Sequence, residues 1–206
     1  MLKLLMHPSR PSVSNTLAQT WWFTGLPGAG KTTLAQAWGQ QLRQRQRSVV
    51  VLDGDELRQG LTRDLGFSEA DRHENMRRVA EVARLLNDAG VDALVALVSP
   101  TLQGRASARQ IIGNTRFTEV FVATPLAVCQ QRDPKGLYRR AASHEQLGLT
   151  GVQSPYEAPR GAELVIDTSQ TSLDAALSLL LVNYSQCKQP TSTKAPITQP
   201  VLNPKI

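Results

Sequence analysis

The chain has 206 residues, 41% of them hydrophobic and 19% charged, enough for one well-cored domain with little left for a second. Its formal charge of +6 sits at the ends: Lys3, Arg10, Lys188, Lys194 and Lys205 lie in stretches without acids, leaving 18 basic against 17 acidic residues in the body. A nearly neutral body supports no polyanion-binding surface, so no nucleic-acid partner is expected.

Residues 1–18 mix Pro, Ser, Asn and Thr without periodicity and read as a flexible lead-in. A first strand, buried on both faces, is expected over 19–24. It runs directly into Gly25-Leu26-Pro27-Gly28-Ala29-Gly30-Lys31-Thr32, which fits the phosphate-loop pattern G-x-x-x-x-G-K-[S/T]. Glycines let successive N–H groups turn toward one anion, and the helix that starts at Thr33 adds its positive end. Lys31 then reaches the β- and γ-phosphates of a nucleoside triphosphate, and the Thr32 hydroxyl ligates Mg²⁺. That helix is expected to end near Arg45.

Ser48 to Leu52 is a continuous β-branched run of the kind that forms a central parallel strand. It ends in Asp53-Gly54-Asp55, two carboxylates where open α/β sheets place their ligands, although Asp and Gly also suit a turn with an N-cap. Residues 69–89 form the longest helical stretch, with Met76, Val79, Val82 and Leu86 at helical spacing and Gly90 at its end. The charges of its first turns, His73, Arg77 and Arg78 among them, read as a solvated face.

A third strand (91–98) leads into Ser99-Pro100, a short helix spans 105–112, a fourth strand runs over 117–124, and Pro125 starts a further helix to Arg132. From Asp133 to about Arg160 there is no periodicity, which suits a mobile lid over the site. A fifth strand (162–168) and a closing amphipathic helix (173–184) complete the domain, 19–186. From Cys187 onward, four prolines with Ser, Thr and Lys describe a disordered tail. Cys129, beside Leu126 and Val128, reads as a small buried thiol, and two cysteines make no disulfide framework or metal site. No apolar run is long enough to span a membrane and Leu4-Leu5-Met6 is no sustained signal core, so a cytoplasmic protein is expected.

Strand and helix alternate five times, which predicts a three-layer α/β/α fold around a five-stranded parallel sheet with a lid segment. A phosphate loop, strand-end carboxylates, arginines and a lid together suit phosphoryl transfer to a small acceptor.

The residues also carry a resemblance to the adenylylsulfate kinases. Its segments are Leu52-Asp53-Gly54-Asp55, Asp64-Leu65-Gly66-Phe67-Ser68, Glu74-Asn75, Ser99-Pro100, Asp133-Pro134-Lys135-Gly136-Leu137-Tyr138, Thr150-Gly151 and Ser154-Pro155-Tyr156-Glu157-Ala158-Pro159. The resemblance spans about residues 20–184 and implies transfer of the ATP γ-phosphate to the 3′-hydroxyl of adenosine 5′-phosphosulfate (APS).

It further implies that Gly25 to Thr33 and Arg132 bind ATP, with Lys31, Asp53, Asp55 and Ser99 as the catalytic set. Asp53 orients or deprotonates the acceptor hydroxyl, with Asp55 close behind, and either holds Mg²⁺ through water beside Thr32. Arg58, Arg72 and Asn75 grip the phosphosulfate and sugar, and Phe67 stacks on the adenine. Ser99, Leu149 and Thr150 complete the acceptor side, while Lys135, Arg139 and Arg140 join Arg132 on the lid and ATP side. Family members are commonly dimers, so the resemblance admits a homodimer.

Departures from the family pattern cluster on the acceptor side: Thr101, Leu102 and Gly104 after Ser-Pro, Leu149 for an aromatic, Leu147 for a lysine, Gln153 for an aspartate, and Glu56 for a frequent Asn. Two other readings therefore stay open on the sequence, a kinase for another nucleotide or small-molecule acceptor and a non-catalytic nucleotide-binding homologue.

Overall fold

Trp21 and Trp22, neighbours in the chain, are both fully buried yet lie in separate apolar layers. They sit on strand β1 (Thr20–Thr24), where successive side chains point to opposite faces. The computed structural model that shows this describes residues 17–143 and 145–187.

β1 is the middle of a five-stranded, all-parallel sheet of order β2-β3-β1-β4-β5, built with β2 (Val49–Asp53), β3 (Asp92–Ala96), β4 (Phe117–Val122) and β5 (Leu164–Ile166). Trp21 and Phe23 pack under α1 (Lys31–Gln44) and α7 (Leu173–Cys187), with Trp38 and Tyr184 edge-on to one another at 5.9 Å. Trp22 faces α3 (Glu69–Asp88) and α4 (Leu102–Ile112), stacked on Phe117 at 5.8 Å and enclosed by Met76, Val79 and Ala108. Helices thus cover both faces, as the α/β alternation requires. The expected three-layer fold is the fold observed.

Several local expectations change. The β-branched run ending at Leu52 is an edge strand, not a central one, and Val50 on it is exposed. Such a run reports a strand with apolar neighbours, and α1 supplies them by packing on Val49 and Val51. α4 starts at Leu102 rather than 105, because the Thr101 hydroxyl accepts the Gly104 N–H as its N-cap. Pro125 stands one residue before α5 (Leu126–Arg132) rather than inside its first turn.

Two short α-helices escaped the periodicity: α2 (Gly54–Leu57) and α6 (Leu137–Ala142), the second inside the segment expected to be a mobile lid. One turn or two is too little for a 3.6-residue repeat to show. The lead-in and the tail lie, except for Leu17, Ala18 and Cys187, outside the described residues. Ala18 is buried, and the N–H of Gln19 is fixed to the Asp92 carboxylate at 2.8 Å.

The parallel strands end on one edge, and that edge carries Gly25, Asp53, Ser99 and Thr124. Open α/β sheets bind ligands there, outside the carboxyl ends of the strands.

Candidate active site

Gly25 is required at the start of the phosphate loop because a Cβ there would lie 2.5 Å from the Val122 carbonyl oxygen. The loop closes at Gly30, whose left-handed backbone (φ 102°) leads into α1 without a side-chain cap. The first amides of α1 are therefore open to an anion. Lys31 is buried and donates to the carbonyls of Gly25 at 3.0 Å and Leu26 at 2.8 Å. Burial lowers its pKa to about 8, with Lys135 adding repulsion and Asp53 opposing the shift.

Thr32 donates its hydroxyl proton to Asp53 Oδ2 at 2.6 Å, joining α1 to the end of β2. Asp53 Oδ1 accepts the Asp55 N–H at 2.9 Å, so this carboxylate also N-caps α2. The cap reading of Asp53-Gly54-Asp55 holds, and the capping side chain also touches Thr32 and lines the cavity. Asp55 points elsewhere, into an ion pair with Lys135 of the lid segment.

Across the cavity, Arg58 lies over the Phe67 ring, its Cζ 4.2 Å from the centroid, and Arg72 approaches the same ring at 5.5 Å. Arg58 donates to the carbonyls of Leu65 and Gly66, and Arg72 to those of Phe67 and Gly148. Among the described residues neither is in an ion pair, and burial lowers the pKa of both from the usual arginine value. Two half-buried cations outside any ion pair among the described residues, with Asp71 acting on Arg58 only from beyond contact, favour an anionic ligand. Asn75, buried beside them in α3, has an amide oxygen with no partner.

A single cavity of about 700 Å³ unites the two halves. Pro27, Gly28, Gly30, Lys31, Thr32 and Thr33 line its donor end, with Asp53 and Asp55 beside them. Arg58, Phe67, Arg72 and Asn75 line its other end, with Ser99. Arg132, Leu149 and Thr150 close it from the lid side. Of the expected residues, Gly25, Leu26, Ala29 and Arg139 do not line it. The Gly25 and Leu26 carbonyls hold Lys31, the Ala29 carbonyl accepts the hydroxyls of Thr124 and Thr168, and Arg139 is exposed. His73, Arg77 and Arg78 are also absent from the cavity; Arg77 and Arg78 both grip Glu74, and Arg78 reaches Asp64 as well.

The family model for adenylylsulphate kinase matches residues 17–167. The chain belongs to the adenylylsulphate kinase family. It is 50% identical over 177 residues to an adenylyl-sulfate kinase of Shewanella amazonensis, covering 86% of this chain and 89% of that one. A second adenylyl-sulfate kinase, from a Shewanella species (strain ANA-3), is 52% identical over 160 residues, 78% of each chain. Among solved structures, the APS kinase of Mycobacterium tuberculosis in complex with AMPPNP and APS superposes with a TM-score of 0.79 at 42% identity, covering 82% of this chain and 99% of that one.

The lid segment is bolted to the phosphate loop. Tyr138 of α6 donates its hydroxyl to the Pro27 carbonyl at 2.9 Å, and Asp133 accepts the amides of Tyr138 and Arg139 in the first turn of α6. Arg132 donates to the hydroxyl and carbonyl of Thr168 at 2.7 and 2.9 Å. The lid is held on the other side by Arg72, whose guanidinium donates to the Gly148 carbonyl at 2.6 Å.

Two of the departures, Gly104 and Gln153, have local explanations. Gly104 leaves room for Met76, whose terminal methyl a Cβ at that position would strike. Gln153 accepts the Leu147 and Leu149 amides, each at 3.1 Å, and donates to the Glu145 carbonyl at 2.7 Å. An aspartate could accept those amides but has no N–H to return. Leu147 and Leu149 thereby present an aliphatic wall to the cavity. Tyr138 and Trp22 were not singled out for the site from sequence: Tyr138 stood within the Asp133–Tyr138 segment, whereas Trp22 read only as part of an apolar strand.

Proposed function

We propose that this chain transfers the γ-phosphate of ATP to the 3′-hydroxyl of APS, giving 3′-phosphoadenylyl sulfate and ADP. The observation that carries the reading is the one cavity in which the phosphate loop and the unpaired Arg58–Phe67–Arg72 cluster face each other. The loop suits a triphosphate, and the cluster suits a ligand with a flat ring and an anionic group.

In this reading Lys31 leaves the loop carbonyls for the β- and γ-phosphates, and the α1 amides hold the same charges. Asp53 takes the proton of the 3′-hydroxyl as the bond from O3′ to the γ-phosphorus forms and the bond to the β,γ-bridging oxygen breaks, releasing ADP. Asp53 is favoured over Asp55 because it touches Thr32 and is not tied to Lys135. Arg58, Arg72 and Asn75 bind the phosphosulfate and sugar, and Phe67 the adenine. Tyr138 and the lid exclude water from the transfer.

Thr32 and Asp53 also fit Mg²⁺. Their oxygens are hard donors 2.6 Å apart at the loop, and no group of three or more His, Cys, Asp or Glu forms an all-protein cage among the described residues. Thr32 and Asp53 would supply the protein oxygens that Mg²⁺ needs, and the ion would neutralise triphosphate charge there. No helix among the described residues is long and apolar enough to cross a membrane. A cytoplasmic location is proposed with the rest of this reading.

The test is product identity. Incubation with ATP, Mg²⁺ and APS should give a nucleotide one phosphate heavier than APS, with its new ³¹P resonance at the 3′ position. A phosphate elsewhere, or none transferred, sinks the assignment.

A further inference from the structure

Ser99 follows β3 in a left-handed conformation (φ 47°) that a non-glycine residue holds only when its surroundings impose it. Those surroundings are specific. Arg105, buried and paired with Glu119 at 2.7 Å, donates to the Ser99 carbonyl at 2.7 Å and to the Glu157 carbonyl at 2.7 Å. Thr24 donates weakly to the same Ser99 carbonyl at 3.3 Å. The Ser99 carbonyl is thereby held from β1 and α4, and the same guanidinium ties in the segment that carries Glu157.

The side chain has one partner among the described residues: the Trp22 indole, whose Nε1–H donates to Ser99 Oγ at 2.9 Å. An indole N–H can only donate, so the direction of this bond is fixed by chemistry. Ser99 Oγ is therefore an acceptor toward the core, and its own proton is left for another oxygen or nitrogen. Ser99 is buried against protein and lines the cavity, so the proton has the cavity to turn to. No carboxylate or imidazole is hydrogen-bonded to the hydroxyl, which leaves no base to activate it as a nucleophile.

We propose that Trp22 is a positioning residue for the transfer: it sets Ser99 as a hydrogen-bond donor into the acceptor half of the cavity, toward an acceptor atom of the nucleotide substrate. The proposal rests on the APS-kinase reading for the identity of that substrate, and on the Trp22–Ser99 geometry alone for the polarity. Trp22→Phe keeps a ring against Phe117 and removes the N–H donor together with part of the indole's buried volume, which is why the cycle is read against Ser99→Ala, a change that removes only the hydroxyl.

The experiment is a double-mutant cycle on kcat/KM for APS with saturating ATP and Mg²⁺. Each single variant loses roughly tenfold, the size of one hydrogen bond made by an ordered donor. The double variant loses no more than Ser99→Ala, and KM for ATP is unchanged throughout. Additive losses, about a hundredfold in the double variant, or an unimpaired Trp22→Phe, overturn the proposal. A second readout needs neither turnover nor a Trp22 variant. In protein labelled with ¹⁵N at the indole nitrogens, the Trp22 N–H resonance moves upfield in Ser99→Ala, and its failure to move also overturns the proposal. Absence of APS-dependent turnover in the unaltered protein instead sinks the substrate reading and leaves the indole resonance to decide the positioning role.

Discussion

Thr32 and Asp53, 21 positions apart in the chain, meet at 2.6 Å between hydroxyl and carboxylate, and this contact joins the phosphate loop to the edge strand β2. The same carboxylate caps α2. Chemistry and local folding therefore share one side chain and are separable by substitution. Asp53→Asn keeps an oxygen for the cap and loses the charge, so activity should fall by about 10²–10⁴ with little change in Tm. Asp53→Ala should lose the same activity and in addition about 1 kcal/mol of stability. Steady-state rates and thermal melts on both variants check this; an active Asp53→Asn would move the role to Asp55.

Lys31 gives a pH signature. Its folded pKa of about 8 lies below the ordinary 10.5, so the free protein loses this charge as pH rises through 8. kcat/KM for ATP should then decline above that pH, while kcat at saturating ATP should persist higher because bound phosphates restore the charge. The stability consequence has the opposite sign. Between about 8 and 10.5 the unfolded chain binds more protons at Lys31, so this residue's contribution to stability rises with pH across that window. A kcat/KM profile flat to pH 9.5 contradicts the assignment.

The Arg58–Phe67–Arg72 cluster should read out as acceptor affinity. Arg58→Ala or Arg72→Ala should raise KM for APS by about 10- to 100-fold, the range of charge-assisted hydrogen bonds, and leave KM for ATP within about twofold. Arg72→Ala should also loosen the lid, because it releases the Gly148 carbonyl. Hydrogen exchange across residues 145–150 separates the two effects.

Gln153 organises the aliphatic wall through both ends of its amide. Gln153→Glu retains the acceptor and loses the donor to Glu145, so KM for APS should rise several-fold at nearly unchanged kcat. Protease nicking within 145–149 should increase in step. A variant with faster nicking and unaltered KM would detach the wall from substrate binding.

The architecture was legible because its signals are local: alternating apolar runs gave five parallel strands, and the Gly25–Thr32 spacing placed the loop between the first strand and its helix. What escaped was either too short or too distant in sequence. α2 and α6 are below the length at which periodicity appears. The edge position of β2 depends on strand order, which a β-branched run does not encode. The Trp22–Ser99 bond spans 77 positions and the Tyr138–Pro27 bond 111, and neither leaves a mark on the residues between. The phosphate-loop residues are one continuous stretch, while the acceptor half is assembled from the segment after α2, α3, the end of β3 and the lid.

The most direct measurement is coupled ADP release with ATP and Mg²⁺, in the presence and absence of APS. The account predicts turnover that depends on APS, saturates with it, and disappears in Lys31→Ala. ADP release at the same rate without APS, or none with it, would contradict the central claim.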